Sequence, residues 1–114
     1  PESIDASAPR VLAGFLVSFE HELGQFWPLY QGPNVVGRKD SAPGLDIPID
    51  HPTTSSRHAI IYAAARPGRL KVEDTGSTNG TQLGDVQLER GRKYELHEGE
   101  TIRFGGYSLI VKLV

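Results

Sequence analysis

Apolar and polar positions alternate along this chain with a period of two, in short runs broken by glycine and proline. In "VLAGFLVSF" (Val11 to Phe19) the alternation places Val11, Ala13, Phe15, Val17 and Phe19 on one side of a strand. The run is rich in β-branched and aromatic residues, and Gly14 disfavours a helix there. Further strand-like runs are Phe26 to Leu29, Asn34 to Gly37, Ala59 to Ala64, Leu70 to Asp74, Thr81 to Leu83 and Val86 to Leu88. The closing stretch "TIRFGGYSLIVKLV" reads as a hairpin whose two-residue turn, Gly105-Gly106, needs positive φ. Gly84-Asp85 reads as a second such turn, between "TQL" and "VQL". No window shows the 3.6-residue apolar period of an amphipathic helix. Many short strands at close spacing predict an all-β fold, a β-sandwich. The longest strand-poor stretch is Lys39 to Arg57, with Pro43, Gly44, Pro48 and Pro52 inside it. Long loops at one end of a sandwich are where binding function usually sits. Residues Glu2 to Pro9 read as a loose leader with little to bury, so residues 1–9 are set apart from a domain spanning 10–114.

Composition narrows the function classes. With 114 residues the chain can form one domain around one core, and 13 glycines and 8 prolines account for its chopped pattern. The 12 basic and 14 acidic residues leave a net charge of −2, which argues against a general nucleic-acid binder. There is no cysteine, which excludes disulfides, thiolate metal sites and cysteine nucleophiles. That absence favours a reducing compartment, and a cytoplasmic location is expected. No apolar run approaches the roughly 18 residues of a membrane span, and no membrane association is expected. The chain has no methionine, even at position 1, which suggests a domain excised from a larger protein.

Three polar stretches carry candidate chemistry. "GR" at Gly37-Arg38 ends a strand and projects a planar fork of donors into the loops. "SSRH" (Ser55 to His58) sets two hydroxyls, a cation and an imidazole just before the apolar strand "AIIYAA". "DTGSTNGTQLG" (Asp74 to Gly84) crowds hydroxyls and Asn79-Gly80 into one short span. Each alone has an ordinary reading: a solvated arginine, a turn with local side-chain to backbone bonds, an Asn-Gly turn. Asn79 to Thr81 also matches a glycosylation sequon.

In this order and spacing the three stretches resemble the forkhead-associated (FHA) domain, whose motif is GR, then S-x-x-H, then a late T-N-G. Here the matching residues are Gly37 and Arg38, Ser55 and His58, and Thr78, Asn79 and Gly80. The resemblance covers roughly Leu16 to Val114. It implies a sandwich of about eleven strands with binding loops at one end. It also implies recognition of phosphothreonine in partner proteins, with no metal or other cofactor.

Phosphothreonine brings about −1.5 to −2 charges and three acceptor oxygens. The resemblance assigns Arg38 a charge-assisted pair of bonds to them and Ser55 a hydroxyl donor, with Thr78 helping or bracing the loop. Asn79, with one donor and one acceptor group, would grip the peptide backbone. Gly37 and Gly80 would support the loops, and His58 would be a buried scaffold rather than a ligand. One departure concerns the residue after the motif serine. Family members often carry Arg or Asn there to reach the phosphate, whereas this chain offers the phosphate Ser56, a shorter and neutral group, with Arg57 next to it as the residue that would compensate. Thr53 lies where some members carry a charged selector for the third residue after the phosphothreonine. A neutral Thr53 implies preference for a small or apolar residue, against which Lys39 and Arg57 would favour an acid.

Other classes fit less well. Ser55, His58 and Asp74 could be imagined as a nucleophile, base and orienter, but no G-x-S-x-G elbow exists. His21, His51, His58 and His97 lack metal-ligand spacing, and Asp46 and Asp50 do not form a calcium loop. The rival that remains is a phosphate-independent assembly module using the face of the same sandwich.

Overall fold

The computed structural model describes residues 10–18, 24–64 and 68–114. Eleven strands build it: β1 (Leu12–Ser18), β2 (Gln25–Tyr30), β3 (Gly32–Arg38), β4 (Ile47–Ile49), β5 (Ala59–Ala63), β6 (Leu70–Asp74), β7 (Thr81–Leu83), β8 (Val86–Gln87), β9 (Lys93–Leu96), β10 (Thr101–Phe104) and β11 (Tyr107–Leu113). They form two sheets, ordered β2-β1-β11-β10-β7-β8 and β4-β3-β5-β6-β9. No helix occurs among the described residues. The leader, Phe19 and His21 lie outside them.

Inward-facing side chains of the two sheets meet in one core. Leu16, Ile102, Phe104 and Leu109 come from the first sheet, and Val36, Ile47, Ile61 and Val72 from the second, all essentially without solvent contact. Alternation along β5 and β6 is strict, with Ala59, Ile61 and Ala63 buried across from Asp74, Val72 and Leu70. β1 behaves differently. Of its apolar set, Phe15 and Val17 share the outer face and are only partly covered, and Ala13, beside a β-bulge, is partly buried against the core. The inward face is Gly14, Leu16 and Ser18. On the outer face Phe15 meets Phe26 of β2 edge-on, ring centres 5.7 Å apart.

The stretch Lys39 to Arg57 is strand-poor, as expected, but not free of strands. β4 lies within it and pairs in parallel with β3, Val36 opposite Ile47 and Arg38 opposite Ile49. Pro48 is tolerated because β4 is an edge strand whose outer side has no ladder partner among the described residues. Ile47 and Ile49 pin it to the core from either side of that proline. β9 was also absent from the periodicity, since "KYEL" exposes Lys93 and Glu95 and buries only Leu96.

Both expected hairpin turns form. Thr101–Phe104 and Tyr107–Leu113 pair across Gly105-Gly106, with Gly105 at φ 66°. Leu83 and Val86 pair across Gly84-Asp85, with Gly84 at φ 59°. The β3–β4, β4–β5 and β6–β7 loops and the β10–β11 turn converge at one end of the sandwich.

Candidate functional site

Gly37 and Arg38 close β3, where the strand passes beneath the β4–β5 loop. A Cβ on Gly37 would stand 2.0 Å from the Ser56 carbonyl oxygen and 2.7 Å from Leu45 Cδ2. Only glycine permits that approach, which two main-chain bonds then fix: Arg38 N to Ser55 O at 2.9 Å and His58 N to Val36 O at 2.8 Å. Arg38 is half-buried, and its Nη1 donates to the Thr54 carbonyl at 3.3 Å. No carboxylate pairs with it among the described residues, whereas Arg10, Arg69, Arg90 and Arg92 each have one.

Ser55 stands at the centre of the loops. Its main-chain N–H donates to His58 Nδ1 at 3.0 Å, and its hydroxyl oxygen accepts the Thr78 N–H at 2.9 Å. The hydroxyl proton has no acceptor among the described residues, so it is free to point outward. His58 is fully buried and spends both ring nitrogens on main chain. Nδ1 accepts from Ser55, and Nε2 donates to the Gly80 carbonyl at 2.9 Å. Only the neutral Nε2–H form serves both partners. Burial holds the imidazole below its ordinary pKa, against the pull of the Gly80 carbonyl and the Asp74 charge. The ring also meets Phe104 edge-on at 5.5 Å.

The β6–β7 loop is organised from inside by Asp74, which sits without solvent contact. One carboxylate oxygen accepts the N–H groups of Gly76 and Ser77, both at 2.8 Å. The other accepts the hydroxyls of Ser77 at 2.6 Å and Thr81 at 2.7 Å. Burial alone would push its pKa up, but these donors outweigh it and hold the carboxyl below its ordinary value. Ser77 Oγ in turn accepts the Gly80 N–H at 2.9 Å. From the β8–β9 loop, Arg90 donates two bonds to the Ser77 carbonyl, at 3.0 and 2.7 Å, with Asp74 4.0 Å away.

This interior leaves Thr78 and Asn79 exposed at the tip. Asn79 Nδ2 reaches across to the Thr53 carbonyl at 2.9 Å, and its own carbonyl oxygen has no partner among the described residues. Thr53 is tied down further. Its hydroxyl accepts the Gly106 N–H at 2.7 Å and donates to His51 Nδ1 at 2.7 Å. Behind it, the buried Thr54 hydroxyl donates to the Phe104 carbonyl.

Arg38, Ser55, Thr78, Asn79 and Thr53 are thus joined in one hydrogen-bonded cluster, with Gly37, His58 and Gly80 beneath. Ser56 and Arg57 stand apart from it. The Ser56 hydroxyl makes no bond among the described residues, and Arg57 donates to the Pro43 carbonyl at 2.8 Å, bracing the β3–β4 loop. Sequence reasoning missed Ser77, Thr54 and Arg90 and assigned Asp74 no part in supporting the loops. An aspartate followed three residues on by serine is a local turn signal that was available. Nothing near Arg90 in sequence marks it. The imagined Ser55, His58, Asp74 relay does not form, because both His58 nitrogens and the Asp74 carboxylate are committed elsewhere. Thr81 of the sequon is buried on Asp74. The described residues contain no cluster of metal-ligating side chains.

The family model described as FHA domain matches residues 34–105. The FHA domain-containing protein PS1 of Arabidopsis thaliana is 38% identical over 79 residues, which is 69% of this chain and 5% of that protein. Mediator of DNA damage checkpoint protein 1 of Mus musculus is 34% identical over 94 residues, 81% of this chain and again 5% of the relative. The chain therefore spans a small fraction of the curated relatives it matches. Among solved structures, the MEK1 FHA domain in complex with a HOP1 phosphothreonine peptide superposes with a TM-score of 0.69 at 24% identity, covering 90% of this chain and 97% of that one. At that identity the likeness is one of fold.

Proposed function

The chain belongs to the FHA domain family, and from that premise we propose that it is a phosphothreonine-recognition module docking onto a phosphorylated partner protein. FHA domains are interaction modules, and the reading assigns this chain no catalysis. The observation that carries it is Arg38: a half-buried cation with no carboxylate partner, beside a serine whose proton is uncommitted. A cation held off its own acids in a partly desolvated site is poised for an external anion. Arg38 would take two phosphate oxygens and Ser55 a third. Asn79, already braced on Thr53, would offer its free carbonyl oxygen to a peptide N–H. The complex of a relative's FHA domain with a phosphothreonine peptide supports the same reading.

Ser56 and Arg57 enter only secondarily. Arg57 would have to leave the Pro43 carbonyl to reach the phosphate, so Arg38 carries most of the charge. An oriented phosphothreonine peptide library tests the proposal and reports the preference at the third following position, where neutral Thr53 points to a small or apolar residue. No enrichment over the unphosphorylated library would refute it.

A second reading, phosphate-independent assembly, draws on the outer face of β1 and β2, where Phe26 is 65% exposed against Phe15. Pulldown with and without phosphatase treatment separates the two: capture that survives treatment, and is lost in Phe26→Ser, favours the face.

A further inference from the structure

Asparagine followed by glycine is the pair most prone to deamidation, because glycine has no side chain to hinder its own nitrogen from attacking the asparagine Cγ. This chain has two asparagines, Asn34 before Val35 and Asn79 before Gly80. Glycine at position 80 is set by the turn, whose φ of 86° suits no side chain well. The labile pair is therefore built into the tip of the candidate site, with Asn79 exposed to water.

The fold withholds the nucleophile. The Gly80 N–H is turned inward onto Ser77 Oγ at 2.9 Å. That oxygen can only accept there, since the Ser77 proton is given to Asp74 Oδ2 at 2.6 Å. Removing the Gly80 proton would leave an anionic nitrogen facing a lone pair, with a buried carboxylate one bond beyond. The Gly80 carbonyl is held from the other side by His58 Nε2 and Gly105 N, both at 2.9 Å. Asn79 Nδ2 is held on the Thr53 carbonyl at 2.9 Å, a bond that restrains rotation of the side chain.

We infer that Asn79 is a latent deamidation site, kept closed by the Asp74–Ser77–Gly80 clasp, and that opening it ends phosphothreonine recognition. In the open loop a solvent base takes the Gly80 amide proton, the nitrogen bonds to Asn79 Cγ, and Nδ2 leaves as ammonia after gaining a proton from water. Water then opens the succinimide. Cleavage at Cγ gives aspartate, and cleavage at the main-chain carbonyl gives isoaspartate with a lengthened backbone. Aspartate would set an acceptor against the Thr53 carbonyl where a donor stood, and would place a negative charge beside the phosphate. This second half rests on the phosphothreonine reading; the closed clasp does not.

The test incubates the folded chain, a synthetic peptide of residues Asp74 to Gly84 and the Ser77→Ala variant at mildly alkaline pH, with mass spectrometry locating the product. The folded chain should deamidate at Asn79 about tenfold or more slowly than the peptide, a factor within reach of one buried hydrogen bond. Ser77→Ala should move toward the peptide rate, while Asn34 stays intact in both. Equal rates in folded chain and peptide would overturn the inference. Should the variant not fold, hydrogen exchange of the Gly80 amide in the native chain decides, with rapid exchange overturning it. A phosphothreonine-peptide resin should retain native chain and release the deamidated fraction. Retention of both refutes the second half; retention of neither refutes the phosphothreonine reading and leaves the rate comparison standing.

Discussion

His58 and Ser55 sit three residues apart and share a hydrogen bond, yet their environments divide their roles. Ser55 keeps a free proton at a partly open position, whereas His58 has both nitrogens satisfied in the interior. Ser55→Ala should therefore weaken phosphopeptide binding with little effect on melting, apart from the bond it accepts from Thr78. His58→Ala removes two buried bonds, and losses of about 1–3 kcal/mol are typical when buried partners are left unsatisfied. For a domain of this size each kcal/mol lowers Tm by roughly 4 °C. Thermal melts of both variants, beside calorimetry with phosphopeptide, check the division. If His58→Ala melted like the parent and only binding fell, the scaffold role would be wrong. At this scale the motif was readable in sequence because its residue types are chemically specific. The interior that supports it was not. Asp74 and Ser77 announce a turn, but Arg90 closes on the Ser77 carbonyl from another loop, a contact set by tertiary placement alone.

The end of β3 and the loops around it carry the candidate site, and each loop is held by a different device. Close packing fixes the β4–β5 loop on β3 at Gly37. Gly37→Ala should force the Ser56 carbonyl away, lowering stability and binding together, since main-chain atoms cannot swing aside as a side chain can. The β6–β7 loop is held by Asp74 from within and Arg90 from without. Arg90→Ala should leave the strands intact and reduce phosphopeptide affinity severalfold. Faster hydrogen exchange at Gly80 and Thr78 would accompany it, and unchanged exchange would deny Arg90 a positioning role. Strand periodicity located most elements but passed over β4 and β9. Three residues with proline in the middle, and four with one buried side chain, give alternation too little length to show. On β1 both faces carry large apolar groups, so the pattern identified a side without revealing which one the other sheet covers.

Two buried ionisable groups, His58 and Asp74, set the expected pH dependence of the whole molecule's stability. His58 has its folded pKa lowered by burial, so the unfolded chain takes up that proton first. Its stabilisation is present above the unfolded value of about 6.5 and is lost as pH falls below it. Asp74 is likewise lowered, and its contribution fades only below about 3.9. Chemical denaturation without peptide should show stability declining from pH 7 toward pH 5, then again in strong acid. In His58→Gln the first decline should shrink. Peptide binding should weaken over a similar range for a separate reason, since the phosphate gains a proton near pH 6.

Calorimetric titration of one threonine peptide, selected from the library, decides whether these loops recognise phosphothreonine. It is run in phosphorylated and unphosphorylated forms against the native chain and Arg38→Ala at neutral pH. Hydrogen bonds to charged groups contribute about 1.5–3 kcal/mol each, so losing two should lower affinity about a hundredfold or more. The native chain should bind only the phosphorylated form, and Arg38→Ala should lose that binding while melting like the parent. Equal binding of both forms, or unchanged affinity in Arg38→Ala, would contradict recognition of phosphothreonine at these loops.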